Sequence, residues 1–290
     1  MSPLDTSQTA SLEHCRNGKN GHVNGIVFQR YEYKYTIPAA LMAPIQNFLR
    51  PYCAMDSYAA REPDQFYTIT TLYLDSDRYK TYWDKEEEVP ARFKLRVRTY
   101  GVLSDGPVKF EVKRRFNEVF RKTRVGIPSE KWPSLLTGPA EGLDLQLGPS
   151  EKTALGDFLR LVHTLRAKPK VLVRYQRQAF ISRIDRYVRI SFDRRLRYQP
   201  ANTYDLKGLP DCWRATEDPA SPDDLGAKVI LELKFMTRAP VWLVDLVRTF
   251  GLMRRGFSKY CFAVRGVVKA ETIGRELAQA VATAGGGRRR

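Results

Sequence analysis

Apolar and polar residues alternate at period two along most of the chain, over residues 27–35, 67–75, 92–100, 108–116, 119–127, 170–181, 186–193, 228–236 and 260–265. Successive side chains of a strand point to opposite faces, so this pattern predicts an antiparallel β protein. Helical spacing is confined to three segments: 39–49, where Pro44 should shorten or kink the helix, 151–166 with Ser150 as N-cap, and about 240–253. Two stretches rich in Pro, Gly and Asp, 129–149 and 199–227, read as surface excursions between strands.

Sorting each strand by parity separates a greasy face from an ionic one. Phe93, Leu95 and Val97 oppose Lys94, Arg96 and Arg98, and Val108, Phe110 and Val112 oppose Lys109, Glu111 and Lys113. Val188, Ile190 and Phe192 oppose Arg189, Ser191 and Asp193; Val229, Leu231, Leu233 and Phe235 oppose Lys228, Glu232 and Lys234, with Ile230 the exception. A half-exposed sheet with its charges in water explains any one strand. It does not explain why Glu-x-Lys recurs at Glu32 and Lys34, Glu111 and Lys113, and Glu232 and Lys234, alongside Arg-x-Arg at Arg96 and Arg98. The expected fold is mainly β (α+β): a closed antiparallel β-barrel tunnel with a charged lumen and a few helices packed outside. It should occupy residues 26–268, between a disordered polar tail, 1–25, and a helical or flexible basic tail, 269–290.

Charge changes this picture from architecture to chemistry. Forty-nine Lys and Arg against 32 Asp and Glu give a net charge of +17, which calls for an anionic partner. Burying unpaired cations costs several kcal/mol each, so an inward ionic face must be wet and must expect an anion. A chain of phosphates meets that need: guanidinium forks at Arg96, Arg98, Arg177 and Arg189 grip phosphate oxygens, and Lys34, Lys113, Lys122 and Lys259 act as point charges. Glutamates among them would repel phosphate unless they held a hard cation, Mg²⁺ or Mn²⁺, which assigns Glu32, Glu111, Glu232 and also Asp193 a metal role.

Other readings of the charge are weaker. The cations lie at period two with interspersed glutamates, and no zinc finger, aromatic RNA-binding strand or basic helix accompanies them, which argues against specific nucleic-acid binding. Arg160, Arg166 and Arg288 to Arg290 read as solvated, and Tyr31, Tyr33, Tyr35, Tyr67 and Tyr73 as packing. Trp242 and Leu246 should form a helix face against the barrel. Cys15, Cys53, Cys212 and Cys261 form no CxxC pair, and His14, His22 and His163 read as surface or tail residues. With no apolar run near ~20 residues and no signal-like N-terminus, the expectation is a cytoplasmic protein.

Seven segments, YEYKYTI (31–37), FKLRVRTYG (93–101), FEVKRRFNEVFRKTRV (110–125), YQRQAF (175–180), VRISFD (188–193), LELKF (231–235) and GFSKY (256–260), follow in the order found in another group of proteins. In these the chain resembles the catalytic domain of vacuolar transporter chaperone polyphosphate polymerases, which belong to the triphosphate tunnel metalloenzymes. The resemblance covers about 26–266 and implies a tunnel-like antiparallel barrel with Mn²⁺ or Mg²⁺, ATP and polyphosphate as ligands. It implies that Lys34, Arg96, Arg98, Lys113, Lys122, Tyr175, Arg177, Arg189, Ser258 and Lys259 contact phosphate, and that Glu232 is the principal metal ligand. Tyr175, Arg177 and Ser258 enter through the resemblance, because their segments do not alternate cleanly. Lys94 and Lys234 join the substrate-binding set as further members of the ionic face.

Three departures bear on what this implies. The wider superfamily opens with Glu-x-Glu-x-Lys, whereas Arg30 precedes Glu32 and Lys34 here, which favours the polymerase branch over simple hydrolysis. Gly256 stands where that branch carries a Lys, with Arg254 and Arg255 nearby. The sequence also carries neither an inositol-phosphate sensor domain nor membrane helices, so regulation and export would fall to partner proteins. The implied activity is transfer of the ATP γ-phosphate to a growing polyphosphate chain. Its alternatives are hydrolysis of tripolyphosphate or a nucleoside triphosphate, and a polyphosphate or nucleotide sensor without turnover.

Overall fold

The computed structural model describes residues 30–101, 106–117, 119–138, 145–185, 187–215, 229–236, 238–254, 256–270 and 272. Eight strands form one antiparallel path. They are β1 (Arg30–Ile37), β3 (Tyr67–Asp75), β4 (Ala91–Tyr100), β5 (Val108–Phe116), β6 (Val119–Ile127), β7 (Lys168–Ser182), β8 (Arg189–Pro200) and β10 (Val229–Met236). Their order is β1-β10-β8-β7-β3-β4-β5-β6, with the short β2 (Cys53–Met55) paired to β7 and β9 (Arg214–Ala215) paired to β8.

Alternation located most of these strands to within a few residues, but β8, expected to end at 193, continues to Pro200 past a left-handed Arg195 (φ 51°) that breaks the period, and β2 and β9 were not expected. Positions 27–29, Lys228 and much of the two excursions (139–144 and 216–227) lie outside the described residues. The expected closed barrel is corrected to a curled half-barrel. Among the described residues β1 and β6 end the hydrogen-bonded path and do not pair with each other. Side chains span the seam instead, since Lys113 on β5 donates to Glu32 on β1 at 2.9 Å. Period-two patterning assigns faces but carries no information about edges, and an edge strand bearing Arg121, Lys122 and Arg124 is poorly suited to a further ladder.

Helices cover both sides of the sheet. α1 (Met42–Leu49) and α5 (Val241–Thr249) bury Ile45, Leu49, Trp242, Leu243 and Leu246 against Phe192, Leu231 and Leu233, placing the greasy parity of β8 and β10 outward. The α-helix α1 is shorter than the expected 39–49, in line with Pro44. Pro44 sits in the first turn, where its missing N–H costs nothing, after a 3₁₀ turn at Ala39–Leu41. α2 (Lys80–Glu86) and α3 (Ser134–Thr137) are short, and α4 (Pro149–Leu165) stacks Phe158 on Phe110 at 4.7 Å. Gly148, not Ser150, is the N-cap of α4, and its N–H donates to Glu151 at 3.1 Å. No helix of the described residues is long and apolar enough to cross a membrane.

The strand expected at 260–265 is a helix, α6, over 259–270. Tyr260, Cys261, Phe262, Ala263 and Val264 are all buried, so the run is apolar on every face and periodicity cannot separate strand from helix. Ser258 decides the matter locally, because its Oγ accepts the Cys261 N–H at 3.2 Å as an N-cap. α6 lies on the concave side of the sheet, in one apolar cluster with Tyr73, Val171, Val173, Tyr198 and Ile230. Ile230, the residue that broke the parity of β10, therefore faces α6. A buried carboxylate anchors this packing: Asp75 accepts from Thr81 Oγ1 at 2.7 Å, from the Tyr82 N–H at 3.0 Å and from the Tyr260 hydroxyl.

Candidate functional site

The concave face left uncovered by apolar packing is lined from seven strands and the start of α6. Register fixes its charge pattern. Lys94 pairs directly with Lys113, which pairs in turn with Lys122, so three lysines lie in a row across β4, β5 and β6. Like charges directly opposite one another destabilise a sheet, and here the sequence repeats the arrangement. On the other wall Lys34 faces Glu232 and Glu32 faces Lys234 across β1 and β10.

Four carboxylates are spread over many cations. Glu232 has Lys234, Arg177, Lys259 and Lys34 at 3.0, 3.1, 3.3 and 3.6 Å. Asp193 takes two bonds of 2.6 Å from Arg177 and lies 2.5 Å from Lys259. Glu32 is shared by Lys113 at 2.9 Å and Lys34 at 3.2 Å. Glu111, wholly buried, has Lys122 at 2.5 Å, Arg96 at 2.7 Å and Arg98 at 3.9 Å. Arg98 donates its Nε to Thr71 at 3.0 Å. Lys94 finds no carboxylate among the described residues; it donates to Ser258 Oγ at 2.7 Å and lies over the Tyr260 ring.

Proton affinities follow from this imbalance. Burial pulls Lys113 and Lys122 down to about 7, because Glu32 and Glu111 only partly offset desolvation and the neighbouring cations. Burial also lowers Lys94. Lys259 goes the other way: burial opposes its charge, yet Asp193 and Glu232 raise it. Burial works against the charged forms of Glu32, Glu111 and Glu232, but the surrounding Lys and Arg hold all three well below the usual carboxylate range.

The structure thus brings together Lys34, Lys94, Arg96, Arg98, Lys113, Lys122, Arg177, Lys234, Lys259, Glu32, Glu111 and Glu232 from the expected set. Tyr175 joins them, its ring 4.7 Å from the Lys259 ammonium and 5.4 Å from the Arg177 guanidinium. Ser258 caps α6. Arg189 stands apart at one end, its side chain 46% exposed and bonded to the buried Asp56 at 2.6 Å. Asp56 and Asp75 were not anticipated, since isolated aspartates carry no periodic signal.

Among the described residues no three His, Cys, Asp or Glu side chains converge as a metal cage. A magnesium or manganese ion that draws its other ligands from phosphate and water needs one or two carboxylates. Glu232, with Asp193 joined to it through Arg177 and Lys259, fits that requirement. Glu111 is wholly buried among three cations and, as placed, serves as their counter-ion. Glu32 is shared by two lysines on the seam.

Solved structures resemble the chain, two of them as follows. One, from Bacillus halodurans and described as a candidate adenylate cyclase, shares 11% identity at a TM-score of 0.43, covering 80% of this chain and 96% of its own. The other, a protein of Pyrococcus horikoshii, shares 11% identity at a TM-score of 0.39, with 81% and 94% covered. No curated protein sequence matches the chain significantly. Residues 29–268, which carry all of the lining just described, match the VTC domain, and the chain belongs to the VTC-domain family.

Proposed function

We propose that the chain is a phosphotransferase that passes the γ-phosphate of ATP to the end of a growing polyphosphate chain along the concave face. One observation carries this reading: the lining holds far more Lys and Arg than its carboxylates can neutralise, with Lys94, Lys113 and Lys122 set directly opposite one another. A multiply charged linear anion relieves that repulsion. The family match supports a triphosphate-binding tunnel, and the polymerase activity is the finer step taken here.

The terminal oxygen of the acceptor chain attacks the γ-phosphorus in line, the bond from that phosphorus to the β-bridging oxygen breaks, and ADP leaves with the electron pair. The acceptor oxygen is already anionic, so no general base is required. Arg96, Arg98 and Arg177 hold phosphoryl oxygens by paired N–H donors, while Lys34, Lys113, Lys234 and Lys259 supply point charges. Such transfer depends on positioning and on neutralising charge spread over the transferred group, which fixed cations in a desolvated face do without reorganisation. A divalent ion held by Glu232 with Asp193 would supply further charge neutralisation on the β- and γ-phosphate oxygens. Without substrate, the same cations rest on Glu32, Glu111, Asp193 and Glu232.

The test is incubation of the purified protein with ATP and Mn²⁺ or Mg²⁺, following ADP and resolving long-chain polyphosphate on a gel. ADP together with a polyphosphate ladder is the expected result. ADP with only free phosphate would make the protein a hydrolase, and triphosphate binding with neither product would make it a binding protein.

A further inference from the structure

Beyond the phosphates, one end of the concave face carries chemistry that the cationic lining does not use. β4 continues its inward-facing row Lys94, Arg96, Arg98 into Tyr100, one pleat repeat of about 7 Å past Arg98. On the neighbouring strand Tyr67 is in register with Arg177. Tyr58 closes the group, with its ring 5.7 Å from Tyr100 at 26° and 5.6 Å from Tyr67 at 45°. Tyr67 is buried and forms the floor, whereas Tyr58 is 53% exposed and presents a ring to solvent.

The backbone leading into Tyr58 is anchored. Asp56, buried at 3%, donates its backbone N–H to Ala179 at 2.8 Å, accepts the Ala59 N–H on Oδ1 at 2.9 Å, and takes Arg189 on Oδ2 at 2.6 Å. These bonds fix the backbone two residues before Tyr58, and the stacked Tyr100 ring orients its side chain, so part of the ordering a stacking platform needs is in place before a ligand arrives. Arg189, the expected phosphate ligand that stands apart from the rest, brings its cation to this same end.

We infer that Tyr58, stacked on Tyr100 and tilted against Tyr67 at the end of the concave face beyond Arg98, is the seat for the base of a nucleotide whose phosphates run inward onto the arginines. This deepens the proposed function and rests on it. Both β4 and the β3–β7 pair place a tyrosine next to a guanidinium, Tyr100 after Arg98 and Tyr67 beside Arg177, so a base at the rim and phosphates within follow one geometry. Stacking accepts any base face, so the seat selects nucleotides over inorganic triphosphate more strongly than one nucleotide over another.

The experiment titrates a non-hydrolysable ATP analogue and inorganic tripolyphosphate separately into the parent protein, Tyr58→Ala and Tyr58→Trp, with melting temperature measured alongside. Tyr58→Ala should weaken the ATP analogue about tenfold and leave tripolyphosphate unchanged, and Tyr58→Trp should retain analogue affinity. Equal weakening of both ligands, or no change in either, would overturn the base seat while leaving the phosphate site standing. A parent protein that bound neither ligand would remove the proposed function and this inference together.

Discussion

The Glu111 carboxylate is wholly buried with Arg96 at 2.7 Å and Lys122 at 2.5 Å, while the Lys234 side chain is 27% exposed and bonds to Glu232 at 3.0 Å. Both cations line the same face, yet they stand in different dielectric surroundings. Removing Arg96 leaves a buried carboxylate short of a partner, a change that costs about 3 kcal/mol or more. Removing Lys234 leaves Glu232 three other cations and costs under about 1 kcal/mol. Arg96→Ala should therefore lower Tm by about 6 °C or more and also weaken tripolyphosphate, whereas Lys234→Ala should weaken tripolyphosphate about tenfold with little change in Tm. Thermal denaturation paired with binding checks this; an unstable Lys234→Ala with undiminished affinity would make that ion pair structural. Parity made most of the lining legible in the sequence, because Lys94, Arg96, Arg98, Glu111, Lys113, Glu232 and Lys234 each sit opposite apolar neighbours. It could not show that Glu111 rests on Arg96 and Lys122 while Glu232 gathers Arg177, Lys234 and Lys259, since those partners depend on which elements face each other.

At the scale of elements, α6 is where sequence and structure part. Its apolar run reads equally as a buried strand, and only the Ser258 cap and the packing on Tyr73 and Tyr198 select the helix. Gly266 makes that packing close: a Cβ there would overlap the Tyr198 ring, which is 1% exposed and has no room to yield. Alanine is the better helix former in isolation, by about 1 kcal/mol, so propensity and packing predict opposite signs. Overpacking costs about 1–3 kcal/mol, and Gly266→Ala should therefore destabilise the fold, as measured by chemical denaturation. A stabilised Gly266→Ala would place α6 away from Tyr198. α6 also delivers Lys259 to Asp193 and Glu232 from its first turn, so a fault in its seating should reach the site.

Among the described residues the sheet curls until Lys113 on β5 reaches Glu32 on the edge strand β1, and no backbone ladder joins β1 to β6. That openness could not be read from a sequence in which the inward pattern is the same for a barrel and a half-barrel. The charge it encloses has a pH signature. Lys113 and Lys122 titrate near 7 in the folded chain, against about 10.4 when exposed. Between these values the unfolded chain binds more protons than the folded one, so the contribution of these lysines makes stability rise with pH. Melting of the ligand-free protein should accordingly shift upward from about pH 6.5 to 8.5, and the gain in Tm from saturating tripolyphosphate should shrink as the two lysines lose their charge. A ligand-induced gain that stayed constant over this range would mean that these lysines do not meet phosphate. The most direct test of phosphoryl transfer onto a chain follows the γ-phosphorus itself: ATP labelled at that position is supplied with short polyphosphate and a divalent metal. Label appearing in chains longer than those supplied, with one ADP released for each phosphate added, is the predicted result; label recovered only as free phosphate, or retained in ATP, would contradict it.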